Sequence, residues 1–293
     1  METPRQVLVT GGAGCLGLPV IRALLDRGHR VRSLDTVLAD PSQCGVWKLS
    51  GDEVDWRISD LRDRAAVRAA LSGCDAVVHA AALDLPTSAE RPEDAVAVNG
   101  LATIALMEAA AELGVGIFTL ISSAAASCKP PSVYGSLKLL AEYVLEETAQ
   151  RTGMTARVIR PFVIFGPGRH RGISAGLSQA CAEAAQGRAS VIPFSGLSWF
   201  DPLDQLANVI AESLGAQQGD ASPVMPALAG DTRAMADALS RLSGQKVTVQ
   251  GPPLPAFRPV DAAAVARDAL ALERALSRAV ENYRRSEISV DTV

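Results

Sequence analysis

The chain lacks the spacings and biases that would place it in several common classes. Its five cysteines, Cys15, Cys44, Cys74, Cys128 and Cys181, are scattered, odd in number, and nowhere paired as CxxC. That excludes a CxxC metal or redox pair, and makes reduced cytoplasmic thiols the economical expectation. No His/Cys/Asp spacing supports a metal site, so none is expected. Positive charge is not in excess: the formal net charge is −4, which gives no overall field to recruit nucleic acid or an anionic membrane surface. No apolar run approaches the roughly 18 residues of a membrane-spanning helix. Residues 1–6 lack the charged-then-apolar layout of a signal peptide. These absences predict a cytoplasmic protein with a small-molecule partner, and with neither nucleic acid nor membrane as partner.

At 48% hydrophobic and 20% charged over 293 residues, the chain can bury a sizeable core. Short β-branched runs at 6–9, 30–34, 54–58, 76–79, 117–121 and 156–159 alternate with helical patterns at 18–27, 64–71, 92–113 and 134–151. Such alternation predicts an α/β fold, a Rossmann-type doubly wound parallel sheet with helices on both faces. The rhythm breaks after Gly166-Pro167-Gly168. The expected division is a dinucleotide-binding domain over 1–168, with 199–222 returning to it, and a smaller substrate lobe over 169–198 and 223–293. The last part carries a helix at 261–285 and a frayed end.

The segment Thr10-Gly11-Gly12-Ala13-Gly14-Cys15-Leu16-Gly17 satisfies GxGxxG and GxxGxxG together. A glycine cluster alone also fits ordinary turns. This one follows a strand and opens a helix, so it reads as a pyrophosphate loop, with Gly11, Gly14, Cys15, Leu16 and Gly17 lining it. Asp35 ends the second strand, close to the roughly 20-residue spacing expected of the acid that grips the adenosine ribose. Its carboxylate would repel a 2′-phosphate, and Thr36 stands where NADP binders often carry arginine. NAD is therefore expected over NADP.

Tyr134-Gly135-Ser136-Leu137-Lys138 sets a phenol and an ammonium four residues apart on one helical face, after a strand ending in Ser122-Ser123. With the glycine loop, these residues resemble the extended short-chain dehydrogenase/reductase family, in its NAD-dependent epimerase/dehydratase branch, over the whole chain. The resemblance implies that Ser59-Asp60-Leu61-Arg62-Asp63 lines an adenine pocket. It places His79-Ala80-Ala81-Ala82 beside the cofactor diphosphate and ribose, and adds Asn99, Lys138 and Pro161 to the cofactor site. It also implies that Tyr134 is the acid/base, that Lys138 and the nicotinamide ring favour its phenolate, and that Ser123 orients the substrate oxygen.

Four departures from that family bear on substrate. Only residues 124–133 separate Ser123 from Tyr134, with Ser127 where relatives carry a loop tyrosine. The Thr-Asp-Glu run of sugar-nucleotide dehydratases is replaced by Ser123-Ala124-Ala125. Val163 stands in place of an asparagine that holds nucleotide diphosphate, and 198–204 carries no arginine. Substrate would then be met from Ala82, Val163, Arg169, Arg171, Trp199 and Arg258, although Trp47, Trp56 and Trp199 read first as packing groups and the Arg169–Arg171 cluster equally fits a solvated loop. His79 is expected to be satisfied by backbone.

The leading expectation is an NAD-dependent oxidoreductase acting on a carbinol or ketone of a hydroxylated, sugar-like small molecule. The alternatives are a nucleotide-sugar epimerase with tightly bound NAD and a non-enzymatic NAD-binding regulator. The resemblance further implies a homodimer through the 92–113 and 134–151 helices.

Overall fold

The apolar runs of the first 160 residues pair as one parallel sheet, in the computed structural model that describes residues 3–215, 224, 226–254 and 258–286. Its strands are β1 (Gln6–Thr10), β2 (Arg30–Asp35), β3 (Val54–Ile58), β4 (Ala76–His79), β5 (Ile117–Ile121) and β6 (Thr155–Ile159), in the order β3-β2-β1-β4-β5-β6. Every pairing is parallel. This is the doubly wound order, with its topological switch between β1 and β4, where ligands bind outside the carboxyl ends of the strands. β4 is buried at every position, as expected of a strand covered on both faces.

The first unit comprises residues 1–40, 47–160 and 207–225 where described. Its helices are α1 (Gly17–Leu25), α3 (Arg64–Leu71), α4 (Leu85–Glu90), α5 (Pro92–Ala95), α6 (Thr103–Glu112) and α7 (Val133–Thr152). Leu8, Leu34, Val77, Leu106, Met107, Phe118 and Leu145 form its core. The expected single helix over 92–113 is instead interrupted by a π segment, Val96–Ala102. Such a widened turn is common at functional sites, and the Thr103 hydroxyl donates to the carbonyl of Val98 at 3.2 Å. The stretch Pro92–Glu112 is also long and apolar enough to cross a membrane by length and composition, contrary to the expectation that none would be; half of its apolar window is buried inside the protein.

The second unit comprises 41–46, 161–206 and 226–293 where described. It holds α2 (Pro41–Val46), β7 (Val163–Phe165), α8 (Gly176–Ala185), β8 (Ser190–Ile192), β9 (Leu197–Pro202), the start of α9 (Leu203–Glu212), β10 (Leu228–Asp231), α10 (Thr232–Ser243), β11 (Val247–Val249) and α11 (Ala262–Ser286). β9 runs parallel to β7 and antiparallel to β10, while β8 and β11 pair separately. Phe165, Phe194, Phe200, Leu239 and Tyr283 build its core, and the Tyr283 hydroxyl donates to the carbonyl of Gly166 at 2.9 Å.

The chain therefore divides at Pro161 rather than after Gly168, because β7 pairs in the second unit's sheet. Residues 199–206 go with the same unit, their strand portion 199–202 pairing in that sheet. Of the returning segment, 207–215 lie with the first unit, while 216–222 are outside the described residues, as are 1–2, 223, 225, 255–257 and 287–293.

Candidate dinucleotide and catalytic site

The glycine loop is shaped by close backbone approach. Gly11 has φ +72°, and a Cβ there would lie 2.6 Å from the amide nitrogen of Ala81. A Cβ on Gly17 would lie 2.1 Å from the carbonyl oxygen of Gly11, so the first turn of α1 can press on the loop only with glycine. Gly14 is different: only the Gly11 carbonyl, at 3.2 Å, comes within 4 Å of its missing Cβ. Its outer face is open, which is what close approach of a pyrophosphate requires. α1 begins after Leu16 with no side-chain cap and no acidic residue in its first turn. Leu18 donates to the Gly14 carbonyl at 3.2 Å and Pro19 has no amide hydrogen, so the helix start can offer an anion the amides of Leu16 and Gly17. The cradle fits the dinucleotide that the sequence implies.

Asp35 stands at the end of β2, half-buried. One carboxylate oxygen accepts the amide of Ala13 in the glycine loop at 3.0 Å, and the other accepts the amide of Thr36 at 2.7 Å. Each oxygen keeps acceptor capacity for a further donor. Asp60 pairs with Arg62, whose hydrogen bonds hold the carboxyl below the usual carboxylate range. Leu61 beside it is buried. Ala80 and Ala81 hang from Thr10, the former through the Thr10 carbonyl and the latter through its hydroxyl, and Ala82 is exposed.

Asn99, expected at the cofactor site, has its amide engaged within the protein. Its side chain is buried in the π segment and grips the backbone of Leu83 at both ends, accepting at 2.8 Å and donating at 2.9 Å. The amide is spent on shaping the segment that follows β4. His79 differs from expectation. Its ring meets the hydroxyls of Thr10 and Thr103, at 2.7 and 3.0 Å, rather than backbone. Burial, with Lys138 adding to it, pushes its pKa down to about 3, so the ring is neutral.

Tyr134 and Lys138 adjoin on the first turns of α7, which pack against the turn that Ser123 opens after β5. Ser123 opens a short 3-10 turn, Ala124–Ser127, and its hydroxyl accepts the amide of Ala125 at 3.1 Å. Ser132 caps α7 through the amide of Gly135. A Cβ on Gly135 would meet the carbonyl of Ala125 at 2.2 Å, so the helix lies directly against that turn. Lys138 is buried, its ammonium 5.7 Å from the centre of the Tyr134 ring and donating to the carbonyl of Ile121 at 2.8 Å. Burial lowers its pKa to about 8 against the opposing charge of Glu142.

Glu142 and Arg160, two residues given no separate role from sequence, lie beneath this set. Glu142 receives the hydroxyl of Ser122 and two nitrogens of Arg160, whose remaining nitrogen reaches Ser127 at 2.9 Å. The four-residue step from Lys138 to Glu142 was the available signal.

The substrate candidates on the second unit fare unevenly. Val163 is buried in that unit's core among Phe165 and Phe200, so it is a packing residue rather than a pocket wall. Trp199 and Arg258 are brought together: the guanidinium stacks 4.3 Å from the indole centre, and the indole N–H donates to the Arg258 and Pro259 carbonyls. Arg169 folds onto Arg171 and Ser174, and Arg171 is exposed; Pro161, expected at the cofactor site, is buried. Asp201, also without a role from sequence, accepts the amide of Phe162 at 2.7 Å, and burial pushes its carboxyl up to about 7.

A Rossmann sheet, a glycine loop at its switch point and a Ser–Tyr–Lys set on the neighbouring strand and helix define a dinucleotide-dependent enzyme of the short-chain dehydrogenase type. A model of the NAD dependent epimerase/dehydratase family matches residues 7–204, and the chain belongs to that family. Cinnamoyl-CoA reductase 1 of Oryza sativa subsp. japonica is 31% identical over 188 residues, 55% of this chain and 54% of the relative. The chain thus spans about half the length of that relative. D-erythronate dehydrogenase of Cupriavidus necator is 29% identical over 277 residues, 83% of each chain. Among solved structures, the Thermus thermophilus UDP-glucose 4-epimerase complex with NAD superposes with a TM-score of 0.76 at 22% identity. The match covers 95% of this chain and 99% of the other, a likeness of fold.

Proposed function

We propose that the protein is an NAD-dependent oxidoreductase that interconverts a secondary carbinol and a ketone on a small hydroxylated molecule. The observation that carries this reading is the buried Lys138 ammonium beside the Tyr134 ring, with Ser123 on the adjoining strand end. A free phenol titrates near 10 and is a poor base at neutral pH. An ammonium next to it favours loss of the phenolic proton. Tyr134 then takes the proton from the substrate hydroxyl, and Ser123 donates a hydrogen bond to the same oxygen and orients it. When bound, NAD supplies the hydride acceptor. The glycine loop with the α1 amides would hold its pyrophosphate and Asp35 its adenosine ribose. The Asp35 carboxylate favours NAD over NADP, because a 2′-phosphate would place like charges together.

The similarity to D-erythronate dehydrogenase, over 83% of each chain, supports net oxidation. A second reading, epimerisation of a nucleotide sugar, draws on similarity to the UDP-glucose 4-epimerase of Erwinia amylovora, 32% identical over 164 residues. The place of a diphosphate-holding asparagine is taken by the core residue Val163, which favours the first. NADH formation on a panel of sugar acids and sugar nucleotides separates the two, since an epimerase returns the hydride. In the same assay Tyr134→Phe should lose about 10²–10⁴-fold in turnover; a variant with near-normal turnover would overturn the assignment. We also propose a homodimer: Val96 and Leu101 in the π segment, and Leu140 and Tyr143 on α7, are 43–63% exposed.

A further inference from the structure

Arg160, at the end of β6, does more than close an ion pair. Its guanidinium spans from Glu142 on α7 to the hydroxyl of Ser127, the last residue of the turn after Ser123. Glu142 in turn holds the hydroxyl of Ser122, the residue before Ser123. The chain entering and leaving the Ser123 turn is therefore tied to one unit, a buried carboxylate and a half-buried guanidinium. Ser122 and Glu142 are 3% and 8% exposed, and burying two charges is costly enough that apolar residues would serve stability as well. The network holds the start of the stretch between Ser123 and Tyr134 at Ser122 and Ser127, and Glu142 stands one helical turn from Lys138.

We propose that Glu142 and Arg160 are positioning residues of the catalytic site, fixing the Ser123 turn against α7 through Ser122 and Ser127 while Glu142 supplies the counter-charge of the Lys138 ammonium. The inference rests on Ser123, Tyr134 and Lys138 being the catalytic set. The groups facing Lys138 are the Tyr134 ring on its own helix, the Ile121 carbonyl on β5, neutral His79 on β4, and Glu142. Glu142 is the anion among them that opposes the loss of the lysine proton on burial.

The test is Glu142→Gln, which keeps shape and removes charge. The Lys138 midpoint is read by NMR on protein labelled at lysine Cε, with Lys138→Met assigning the signal. The midpoint should fall from about 8 by about one unit, and the pH of half-maximal kcat/KM should rise by a similar amount. Glu142→Asp should restore part of both. Removing one partner can unfold a buried pair; in that event Glu142→Gln/Arg160→Met, free of both charges, is titrated in the same way. Ser127→Ala, at an exposed position, should lower kcat about three- to tenfold with little change in KM for NAD, and should speed amide exchange over 124–133. An unmoved Lys138 midpoint in folded protein, or unchanged kcat and exchange in Ser127→Ala, overturns the inference. The titration needs no turnover, so a failed charge role for Glu142 is distinguishable from a failed catalytic reading, which an active Tyr134→Phe would report.

Discussion

At Asp35 a single carboxylate has one job in the fold and a second in the proposed function, and the two can be measured apart. It holds the amide of Ala13 within the glycine loop and the amide of Thr36 beyond β2, and it presents negative charge where an adenosine ribose would lie. Asp35→Ala removes charge-assisted hydrogen bonds worth about 1.5–3 kcal/mol each. NAD affinity should fall about 10- to 100-fold, and the gap between NAD and NADP should narrow. Fluorescence titration of both cofactors measures this; tighter NADP binding by the unaltered protein would sink the proposed preference. Asp35 was legible from sequence because its spacing from the glycines is set by one βαβ unit. Asn99 was only half legible. Its type and place in the chain pointed to the cofactor side, but its partners on Leu83 depend on a π turn that no residue pattern announces.

At the scale of elements, close packing decides how α7 presents its side chains. Gly135 lets the helix lie on the turn after Ser123, and Ser132 and the left-handed Gly153 close its two ends. Gly135→Ala would push a methyl into the Ala125 carbonyl. We expect a loss of about 1–3 kcal/mol, seen as a melting temperature several degrees lower, with a fall in turnover as Ser123 and Tyr134 move apart. Unchanged stability and rate would show that the approach is not limiting. The six strands of the main sheet were legible within a residue at either end, because buried parallel strands read as short apolar runs. α8 was not, since its Gly, Ser, Ala and Cys residues are buried on nearly every side and show little periodicity. α10 was missed although its ends carry a cap: Asp231 accepts the amide of Arg233, and Gly244 takes the left-handed conformation.

Across the whole molecule, titratable groups buried against their charge preference link stability to pH. Asp201 sits at about 7 in the folded protein against an ordinary value near 4. Its neutral form is the stable one, so its contribution is fully present below about pH 4 and is lost as pH rises through about 7. Asp201→Asn keeps an acceptor for Phe162 and cannot ionise. Its melting temperature relative to the unaltered protein should therefore rise between pH 4.5 and pH 8, by an amount corresponding to at most about 4 kcal/mol. A difference equal at both pH values would refute this. His79 acts with the opposite sign: it is neutral down to about 3 when folded, so its contribution is lost as pH falls from about 6.5. For assembly, Leu140→Glu/Tyr143→Glu should convert the proposed dimer to monomer by light scattering without lowering the melting temperature of the monomer. A native protein that already runs as a monomer would end that proposal.

By itself the sequence determined the parallel sheet, the glycine loop, Asp35 and the Ser–Tyr–Lys set, because each rests on periodicity or on fixed spacing within one or two adjacent elements. Tertiary structure alone decided what meets across elements. It placed Val163 in a core, drew Arg258 onto Trp199, moved the division of the chain to Pro161, and set Glu142 and Arg160 beneath Lys138. Those outcomes depend on which distant segments pack together and how deeply each charge is buried, and neither is written in local pattern.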